Sequence, residues 1–370
     1  MLTGPALDNL AAAVVQVCRS GLDADALRAA VLPRLRKAVP VDALWWASAD
    51  PATLLFTRSY HEELPEESGP YLVENEFLHQ DVNKWTELAR DPAGVRTLMK
   101  ATDGHPARSD RYRDIFAPLG LQDELRAVLR TRDACWGYIC LHREAAQAAF
   151  SQDEARFVRR LAPHIAEGLR MGLLRHACAL ENAADGPGLV ILGADGAVAG
   201  MNDAAGRWLE DLGGQADGSD LPIEISALAT RLRHLDASAA AMPRLRVRAR
   251  TGRWAVLHAS WMNFHDGKAI TVIIEEAAPA EVAPLIMSAY GLTGREKTIC
   301  GLVCQGLPTR QIADRLHLTT DTVQDHLKSV FDRTGVHSRG ELVATILQRD
   351  YLPRALAGDP LSRSGAFAAD

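Results

Sequence analysis

The chain has 370 residues, more than one hydrophobic core usually serves, so we expect two or three domains. A hydrophobic fraction of 47% with 24% charged residues is typical of a soluble globular protein. The net charge of −6 excludes an overall electrostatic attraction to nucleic acid, so any DNA binding must come from a local surface.

No stretch of the sequence approaches the roughly 20 apolar residues that span a bilayer. The opening segment MLTGPALDNLAAAVVQVCRS lacks the basic region of a secretory signal. Six cysteines are too few for a disulfide scaffold in a chain of this length. We therefore expect a cytoplasmic protein with reduced thiols and no membrane partner.

Residues 1–150 alternate helical and strand patterns. Apolar residues recur every three or four positions over 7–39, which predicts helices, and the segments 43–60 and 124–144 predict strand hairpins. A helix-leaning, irregular stretch from 70 to 118 lies between them. This order resembles the GAF family of sensor domains, whose antiparallel sheet carries a pocket on one face.

The resemblance implies that aromatic side chains of the sheet line an effector pocket. The residues expected there are Trp45 (or its neighbour Trp46), Phe56, Trp136 and Tyr138. The alternative is that these rings fill the core and meet no ligand. A small-molecule effector is therefore an expected partner, and the sequence identifies no cofactor.

Residues 151–183 predict a long connector helix, which Ser151 and Glu154 open as a capping box. Its apolar residues fall on one stripe: Val158, Leu161, Ile165, Leu169, Leu173 and Leu180. Such a stripe is buried against its own domain or against a twin helix in a dimer, and we favour a dimer-forming connector. Gly168 and Gly172 would allow a close approach of another helix.

Residues 184–278 have a different strand pattern. The segment GPGLVILGADGAVAGMNDAAGRWL predicts a strand, a Gly-Ala-Asp-Gly turn, a second strand and a helix. Three further strands are predicted by LRVRARTGRWAVLHASWMN and GKAITVIIEEA. This order resembles a PAS domain, a second common sensor fold. The segment EEAAPAEVAPL at 275–285 then indicates an interdomain linker, which we place at 279–288.

Catalytic signatures are missing from the sequence. We find no Gly-x-Ser-x-Gly elbow, no His-Glu-x-x-His motif, no phosphate loop and no dinucleotide fingerprint. Two-residue alternation places Cys140 and His142 on one face of their strand and Cys135 on the other, so a three-ligand metal site is poorly formed. We therefore expect neither an enzyme nor a metal site.

Four helical segments follow between 290 and 350. The first and the last open with the capping boxes TGRE and SRGE. The third, DTVQDHLKSVFDRTG, comes after a break at His317-Leu318 and is capped by Thr319 or Thr320. A break of three to four residues between the second and third helices is the layout of a helix-turn-helix.

The residues of this region closely resemble the C-terminal DNA-binding domain of LuxR-type transcription regulators. The resemblance runs over 289–352, ahead of an expected flexible tail at 353–370. The residues in register are Leu292, Thr293, Arg295, Glu296, Gly306, Ile312, Ala313, Leu318, Thr322, Val323, His326, Leu327, Gly335, Val336 and Arg339. In this family the third helix enters the major groove of DNA.

The resemblance implies that Gln324, Asp325 and Lys328 meet base edges, where they can pair with adenine, cytosine and guanine respectively. The residues expected on phosphates are Thr320, Thr322, His326 and Arg339. Pro308 stands where the family has a capping Ser, so we expect Thr309 to cap the second helix. Eight basic and seven acidic residues between 290 and 350 give a weak attraction to phosphate, so we expect binding to depend on a dimer.

The predicted fold is a multidomain α+β chain: GAF-like and PAS-like antiparallel-sheet sensor domains, followed by an all-α four-helix LuxR-type helix-turn-helix domain. The expected function is sequence-specific transcription regulation under control of the sensor domains. Double-stranded DNA, RNA polymerase and a second copy of the chain are the expected partners, with Val343 and Leu347 at the dimer contact. The rival interpretation is a sensor or scaffold whose C-terminal helices bind a protein, such as a polymerase, instead of DNA.

Overall fold

The computed structural model describes residues 4–65, 68–132, 134–175, 186–193, 195–234, 243–264 and 267–348. The chain divides into two compact units. The first contains residues up to 175 together with 187–250 and 255–275, and the second contains residues 251–254 and those from 276 onward. Two antiparallel sheets with their helices form the first unit, and a group of helices forms the second.

The first sheet has five strands. They are β1 Ala43–Ala49, β2 Phe56–Glu62, β3 Val95–Thr97, β4 Leu121–Thr131 and β5 Ala134–Glu144. Their spatial order is β2-β1-β5-β4-β3. The antiparallel pairs β1–β2 and β4–β5 confirm both predicted hairpins. In the first hairpin turn the Asp50 carboxylate accepts a hydrogen bond from the Ala52 N–H at 2.9 Å, as Asp side chains commonly do in turns.

Among the described residues, six α-helices accompany this sheet. They are α1 Gly4–Cys18, α2 Ala24–Ala38, α3 Ser68–Phe77, α4 Trp85–Leu88, α5 Leu98–Ala101 and α6 Gln152–Arg175. The predicted capping box opens α6, because the Ser151 hydroxyl accepts a hydrogen bond from the Glu154 N–H and the Glu154 carboxylate accepts one from the Ser151 N–H. Helix α6 packs against β4 and β5 on one side and against α1 and α2 on the other. It therefore joins the sheet to the N-terminal helices.

The apolar stripe of α6 is buried within its own unit as far as Leu169, and Leu173 is half-buried. Its residues Val158, Leu161, Ile165 and Leu169 are all at least nine-tenths buried. A Cβ atom on Gly168 would lie 2.9 Å from Leu27 Cδ2, so the helix approaches α2 too closely for a larger residue. This corrects our preference for a dimer-forming connector over the described part of α6. Leu180, the last residue of the predicted stripe, lies outside the described residues.

A second five-stranded sheet follows. Its strands are β6 Gly188–Leu192, β7 Val198–Met201, β8 Arg244–Arg248, β9 Trp254–Phe264 and β10 Gly267–Glu276. They run in the order β7-β6-β10-β9-β8, which repeats the order of the first sheet. Two helices, α7 Asp203–Leu212 and α8 Ile223–His234, accompany it. The strands and α7 were predicted, whereas α8 lies in a segment whose sequence pattern gave no clear prediction.

The two sheet regions share a hydrophobic core. A single cluster of buried side chains contains Tyr138 from β5 and Leu228 from α8. Helix α8 packs against α3 and β2 of the first sheet region. The two regions therefore form one compact unit, joined by apolar side chains on both sides of the contact.

The helices of the second unit are α9 Pro279–Ala289, α10 Gly294–Cys304, α11 Thr309–Leu316, α12 Thr320–Thr334 and α13 Arg339–Val343, which runs on into a wider turn at Ala344–Gln348. The four predicted helices correspond to α10 to α13. Within the described part of the chain, no helix combines the length and apolar content needed to cross a bilayer.

The prediction of a linker at 279–288 is wrong in its local structure, because these residues belong to α9. Proline is acceptable in the first turn of a helix, and the Glu281 carboxylate accepts a hydrogen bond from the Ala278 N–H at 3.2 Å. Val282, Leu285 and Ile286 are buried, and α9 packs against α10 and residues 344–348. Pro279 therefore stands at the start of α9 and Pro284 inside it, and the helix belongs to the second unit.

Candidate functional site

Helices α11 and α12 meet at a tight turn. Helix α11 ends at Leu316, and the next residue, His317, adopts the left-handed backbone conformation with φ of 53°. The Thr319 hydroxyl accepts a hydrogen bond from the Thr322 N–H at 3.1 Å, so Thr319 caps α12. Of the two predicted caps, Thr319 is the one used. The short turn between the two helices is that of a helix-turn-helix.

Helix α12 has a buried side and an exposed side. Val323, Leu327 and Val330 pack inward, with exposures of 6% or less. Gln324, Asp325 and Lys328 are exposed, and they make no hydrogen bond or ion pair with any other described residue. Because residues three and four apart share a helix face, these three side chains form one polar surface. We call Gln324, Asp325 and Lys328 the reader face.

The residues predicted to contact phosphates differ in their surroundings. Thr320 is exposed, whereas Thr322 and His326 are half-buried beside it on α12. Arg339 is already engaged, since its guanidinium donates to the Leu307 carbonyl oxygen at 2.9 Å. Arg339 therefore fastens the segment before α11 to the start of α13.

The prediction that Thr309 caps α11 is wrong. Pro308 occupies the capping position, and no side chain there accepts a hydrogen bond from the helix. The Thr309 hydroxyl instead accepts a hydrogen bond from Arg339 at 3.3 Å. Arg339 thus holds this segment by two hydrogen bonds, which the family resemblance did not indicate.

Glu296 is a further residue whose role the capping-box pattern explains only in part. Its carboxylate accepts hydrogen bonds from the Thr293 N–H at 2.7 Å and from the Ser329 hydroxyl at 2.6 Å. Burial opposes ionisation, but these hydrogen bonds outweigh it and hold the pKa of Glu296 below its ordinary value. Ser329 lies on α12, so Glu296 ties the start of α10 to α12. Helix α12, which carries the reader face, is therefore held in place by its hydrogen bond with Glu296.

A cavity of about 1170 Å³ lies in the first unit. Its wall comes from the first sheet and α3 on one side and from residues around α7 and α8 on the other. Trp45 and Phe56 line it, with their ring centroids 4.9 Å apart in an edge-on arrangement. Tyr138 packs behind Phe56, at 5.6 Å between ring centroids. The structure therefore brings together three of the four aromatic residues predicted for an effector pocket.

Trp85 belongs to the same aromatic group, although the sequence pattern of 70–118 did not single it out. Its ring stacks on Trp45 at 6.0 Å and lies 4.8 Å from the ring of Tyr138. The guanidinium of Arg126 lies 4.5 Å from the centre of the Trp85 ring. Such a cation–aromatic contact is favourable inside a protein.

Trp136, the fourth predicted pocket residue, lies apart from this group. The pairing of β4 with β5 shifts by one residue here: Leu129 pairs with Gly137, and Arg130 pairs with Cys135. The Trp136 indole donates a hydrogen bond to the Thr131 hydroxyl at 2.8 Å. The bulge also corrects the expectation for Cys135, which packs in the same buried cluster as Tyr138.

Buried ion pairs form one end of the cavity wall. Arg111 donates to both carboxylate oxygens of Glu124, at 2.6 to 3.2 Å. Arg126 bridges Glu124, at 3.0 Å, and Glu76, at 2.9 Å. Burial opposes ionisation, but the two guanidinium groups outweigh it and hold the pKa of Glu124 well below its ordinary value. Each member of this group is therefore paired, although burial raises the pKa of Glu76 above its ordinary value.

Glu124, Cys140 and His142 bring three possible metal ligands within 4.8 Å of one another, the one such group among the described residues. The Cys140 sulfur lies 3.1 Å from a Glu124 oxygen and 3.3 Å from His142 Nε2. Burial raises the pKa of the Cys140 thiol well above its usual range and lowers that of His142 to about 4, so both are neutral. With Arg111 and Arg126 on Glu124, these residues fit a cation poorly.

The geometry defines a class of protein. A cavity-bearing, sheet-based unit precedes a helix-turn-helix whose reader face is exposed and unpaired among the described residues. This is the arrangement of a helix-turn-helix domain that follows sheet domains along the chain.

Comparison with known families agrees at the level of domains. Residues 291–346 match the family "Bacterial regulatory proteins, luxR family", and residues 6–169 match the family "GAF domain". The second unit therefore carries a LuxR-type helix-turn-helix domain, and the first sheet region is a GAF domain. Both families are regulatory.

Curated relatives match over the C-terminal part of the chain. The nitrate/nitrite response regulator protein NarL of Escherichia coli K12 is 33% identical over 81 residues, which is 22% of this chain and 38% of that protein. The DNA-binding transcriptional activator DevR/DosR of Mycobacterium tuberculosis is 37% identical over 65 residues, 17% of this chain and 30% of that protein. The chain thus spans less than two fifths of the length of these relatives.

Solved structures give weaker likenesses. The GAF domain of a phosphoenolpyruvate-protein phosphotransferase from Coxiella burnetii is 17% identical, with a TM-score of 0.34, over 46% of this chain and 96% of that one. The VqmA–ligand–DNA complex of Vibrio cholerae is 18% identical, with a TM-score of 0.24, over 45% of this chain and 83% of that one. At these values the likeness adds nothing to the matches with the two families.

Proposed function

We propose that the chain is a sequence-specific transcription regulator that binds double-stranded DNA through α12 under control of its sheet domains. The observation that carries this proposal is the reader face. Gln324, Asp325 and Lys328 are exposed and free of partners among the described residues, while the opposite side of α12 is buried. Three polar side chains with unused hydrogen-bonding capacity on one helix face are suited to the major groove.

The proposed base contacts are those of Gln324 with adenine, Asp325 with cytosine and Lys328 with guanine. The proposed phosphate contacts come from residues around this face: Thr320, Thr322, His326 and Arg339. Arg339 contributes to them only as far as its bonds to Leu307 and Thr309 allow. The acidic residues of the domain nearly balance its basic ones, so phosphate attraction alone gives weak binding.

We also propose that residues 184–278 form a PAS-like domain between a GAF-like domain at 1–150, continued by the connector at 151–183, and the DNA-binding domain at 289–352. Support comes from the second sheet, in which the first and last strands are central neighbours and the two middle helices follow the second strand. In this proposal both domains serve a sensor function, and a small-molecule effector occupies the cavity of the first unit.

A homodimer is the proposed active form, with RNA polymerase as a further partner and the cytoplasm as the compartment. Two copies of α12 would then meet half-sites roughly one DNA turn, about 10 base pairs, apart. Val343 on α13 is half-buried and available for such a contact. Leu347 was predicted to accompany it, and its side chain lies outside the described residues.

The proposal is tested by selecting bound sequences from a random DNA library with the full chain. We expect an enriched motif with two related half-sites, and an altered motif with Gln324→Ala. The rival interpretation, in which the helices bind protein, predicts no enriched motif and no salt-dependent binding of any DNA. Either of those results, obtained with folded protein at concentrations where it is dimeric, would overturn the proposal.

A further inference from the structure

The cavity of the first unit has an acidic wall. Eight carboxyl groups and five guanidinium groups line it, so carboxylates outnumber cations. Asp195, Asp217 and Asp220 are lining residues that are also exposed, so they mark the part of the cavity that meets solvent. A concave surface that carries one sign of charge concentrates ions of the opposite sign. The entrance therefore attracts cations.

The guanidinium groups that line the cavity all contact other groups of the wall, although Nη2 of Arg233 is buried and has no hydrogen-bond partner among the described residues. Each pairs with a carboxylate or, in one case, with a backbone carbonyl oxygen. Arg58 on β2 is bound to Asp25, and Arg126 is shared by Glu76 and Glu124. An anionic ligand would have to break carboxylate pairs before it could use Arg28, Arg58 or Arg126.

Glu224 in the first turn of α8 has no such partner. Its side chain lines the cavity, and the residue is only 3% exposed. Within the described part of the chain no other residue donates a hydrogen bond to its carboxyl group or forms an ion pair with it. Arg58 is the cation that acts on it electrostatically, but Arg58 is bound to Asp25. A buried carboxylate without a counter-ion is costly, and burial accordingly raises the pKa of Glu224 to about 8.

The same cavity provides apolar surface. Trp45, Phe56 and Trp85 line it as one aromatic group, and Leu72 and Val73 of α3 add aliphatic surface. Aromatic rings accept both apolar groups and cations at their faces. A ligand with a cationic head and an apolar body thus meets complementary groups at both ends.

We propose that this cavity binds a small organic cation whose ammonium or guanidinium group pairs with the Glu224 carboxylate while its apolar body lies along Trp45, Phe56 and Trp85. This inference rests on the proposed function, in which the cavity holds the effector, and it names the chemical class of that effector. On binding, the Glu224 carboxyl releases its proton to solvent and keeps its negative charge against the ligand.

The test uses the full chain without DNA and two cationic probes, hexylammonium and benzylammonium. Hexanoate and 1-hexanol serve as anionic and neutral comparisons of similar size. Calorimetric titration and the shift in melting temperature are measured for each probe. We expect both cations to bind and to raise the melting temperature, with hexanoate and 1-hexanol at least about tenfold weaker because they lack the charged hydrogen bond. The heat should also depend on the buffer at pH 7, because a proton is released.

The matched variants are Glu224→Gln and, as a control, Glu87→Gln, an exposed carboxyl on α4 that does not line the cavity. We expect Glu224→Gln to fold, to lose at least about tenfold in affinity for both cations and to lose the buffer dependence. Glu87→Gln should bind like the unchanged chain. Absence of cation binding by the unchanged chain, equal binding by Glu224→Gln, or tighter binding of hexanoate would each overturn the inference. None of these results bears on DNA selection, so the two proposals fail separately.

Discussion

Asp50 and Arg246 form a buried ion pair that joins the two sheet regions of the first unit. The Arg246 Nε donates to one carboxylate oxygen at 3.1 Å, and a terminal nitrogen donates to the other at 2.8 Å. The Asp50 side chain is fully buried and that of Arg246 is 9% exposed. Moving one sheet region away from the other would expose this pair or break it. The two regions are thus held together by a directional contact as well as by apolar packing.

Removing one partner of this pair should destabilise the first unit strongly. We expect Asp50→Ala to lower the free energy of unfolding by about 3–5 kcal/mol, because it leaves a buried guanidinium without its carboxylate. The double variant Asp50→Ala with Arg246→Met should recover part of that loss, because the buried guanidinium that has lost the Asp50 carboxylate is then gone. Urea denaturation of the four proteins in a double-mutant cycle measures the coupling, and strictly additive losses would contradict a coupled pair.

Glu224 should make the stability of the first unit depend on pH. Its pKa is raised to about 8 in the folded chain, above the ordinary value of 4.5. Below pH 4.5 the group is protonated in both states and has no effect on stability. Between these pKa values only the unfolded chain releases the proton, so stability falls as the pH rises and levels off above about 8. Glu224→Gln should remove this slope and gain stability on the order of a few kcal/mol at pH 8. Denaturation of both proteins at pH 4.5, 6 and 8 measures this difference in stability. An equal gain for Glu224→Gln at all three pH values would contradict a raised pKa of Glu224.

Lys328→Ala should weaken binding to the selected DNA sequence. We expect a loss of about 1–3 kcal/mol in binding free energy and a weaker preference for guanine at one position, because a base contact is removed. Lys268→Ala is the matched control, since Lys268 is exposed on β10 of the second sheet region and should not alter binding. Fluorescence anisotropy with selected and scrambled duplexes at several salt concentrations provides the measurement. An equal loss for both duplexes would instead identify Lys328 as a phosphate contact.

Arg339 should contribute to the stability of the second unit even without DNA. We expect Arg339→Ala to lower the free energy of unfolding by about 1–2 kcal/mol, because the carbonyl oxygen of Leu307 and the hydroxyl of Thr309 lose a charged donor. Arg339→Lys should recover little, because a single ammonium group lacks the fork that reaches both acceptors. If Arg339→Ala leaves stability unchanged and only reduces the salt dependence of DNA binding, the residue is a phosphate contact as first predicted.

Replacing two helical glycines by alanine should change the free energy of unfolding in opposite directions. A Cβ atom on Gly172 of α6 would lie 2.2 Å from the Leu22 carbonyl oxygen, so Gly172→Ala should cost about 1–3 kcal/mol through overpacking. Gly301 in α10 has nothing within 4 Å of the added atom, so Gly301→Ala should stabilise its helix by about 0.5–1 kcal/mol. Denaturant unfolding of both variants measures whether each substitution lowers or raises the free energy of unfolding. A stable Gly172→Ala chain would mean that the α1–α2 connection moves away from α6 at little cost.

Features with a local signal were predicted from the sequence. The hairpins, the helix-turn-helix break and the capping boxes at Ser151 and Thr293 each depend on a few neighbouring residues, and the structure has them at those positions. The predicted capping box at Ser338 forms only in part, because its hydroxyl caps the helix while the Glu341 carboxylate accepts from the His337 N–H instead. The exposed side of α12 follows from helical periodicity in the same way. Such features can be predicted because the chemistry that determines them lies within one or two turns of chain.

Features that depend on distant residues were missed. The shift that separates Trp136 from Tyr138 arises where β4 pairs with β5, and two-residue alternation within one strand contains no sign of it. The ion pairs of Glu124 involve Arg111, which comes from a segment without a periodic pattern. Glu224 has no local peculiarity either, since an acidic residue in the first turn of a helix is common. Its importance appears only when α8 packs against the first sheet region.

The two sheets share one property with a practical consequence for engineering. In each of them the first and last strands are hydrogen-bonded neighbours, β1 with β5 and β6 with β10. The chain therefore enters and leaves each sheet at nearly the same place, which is the geometry that tolerates domain insertion and exchange. A chimera could exchange either sheet domain for another of the same strand order at these adjoining ends. Such chimeras would need a matching residue pair at positions 50 and 246 to restore the ion pair between the two sheet regions.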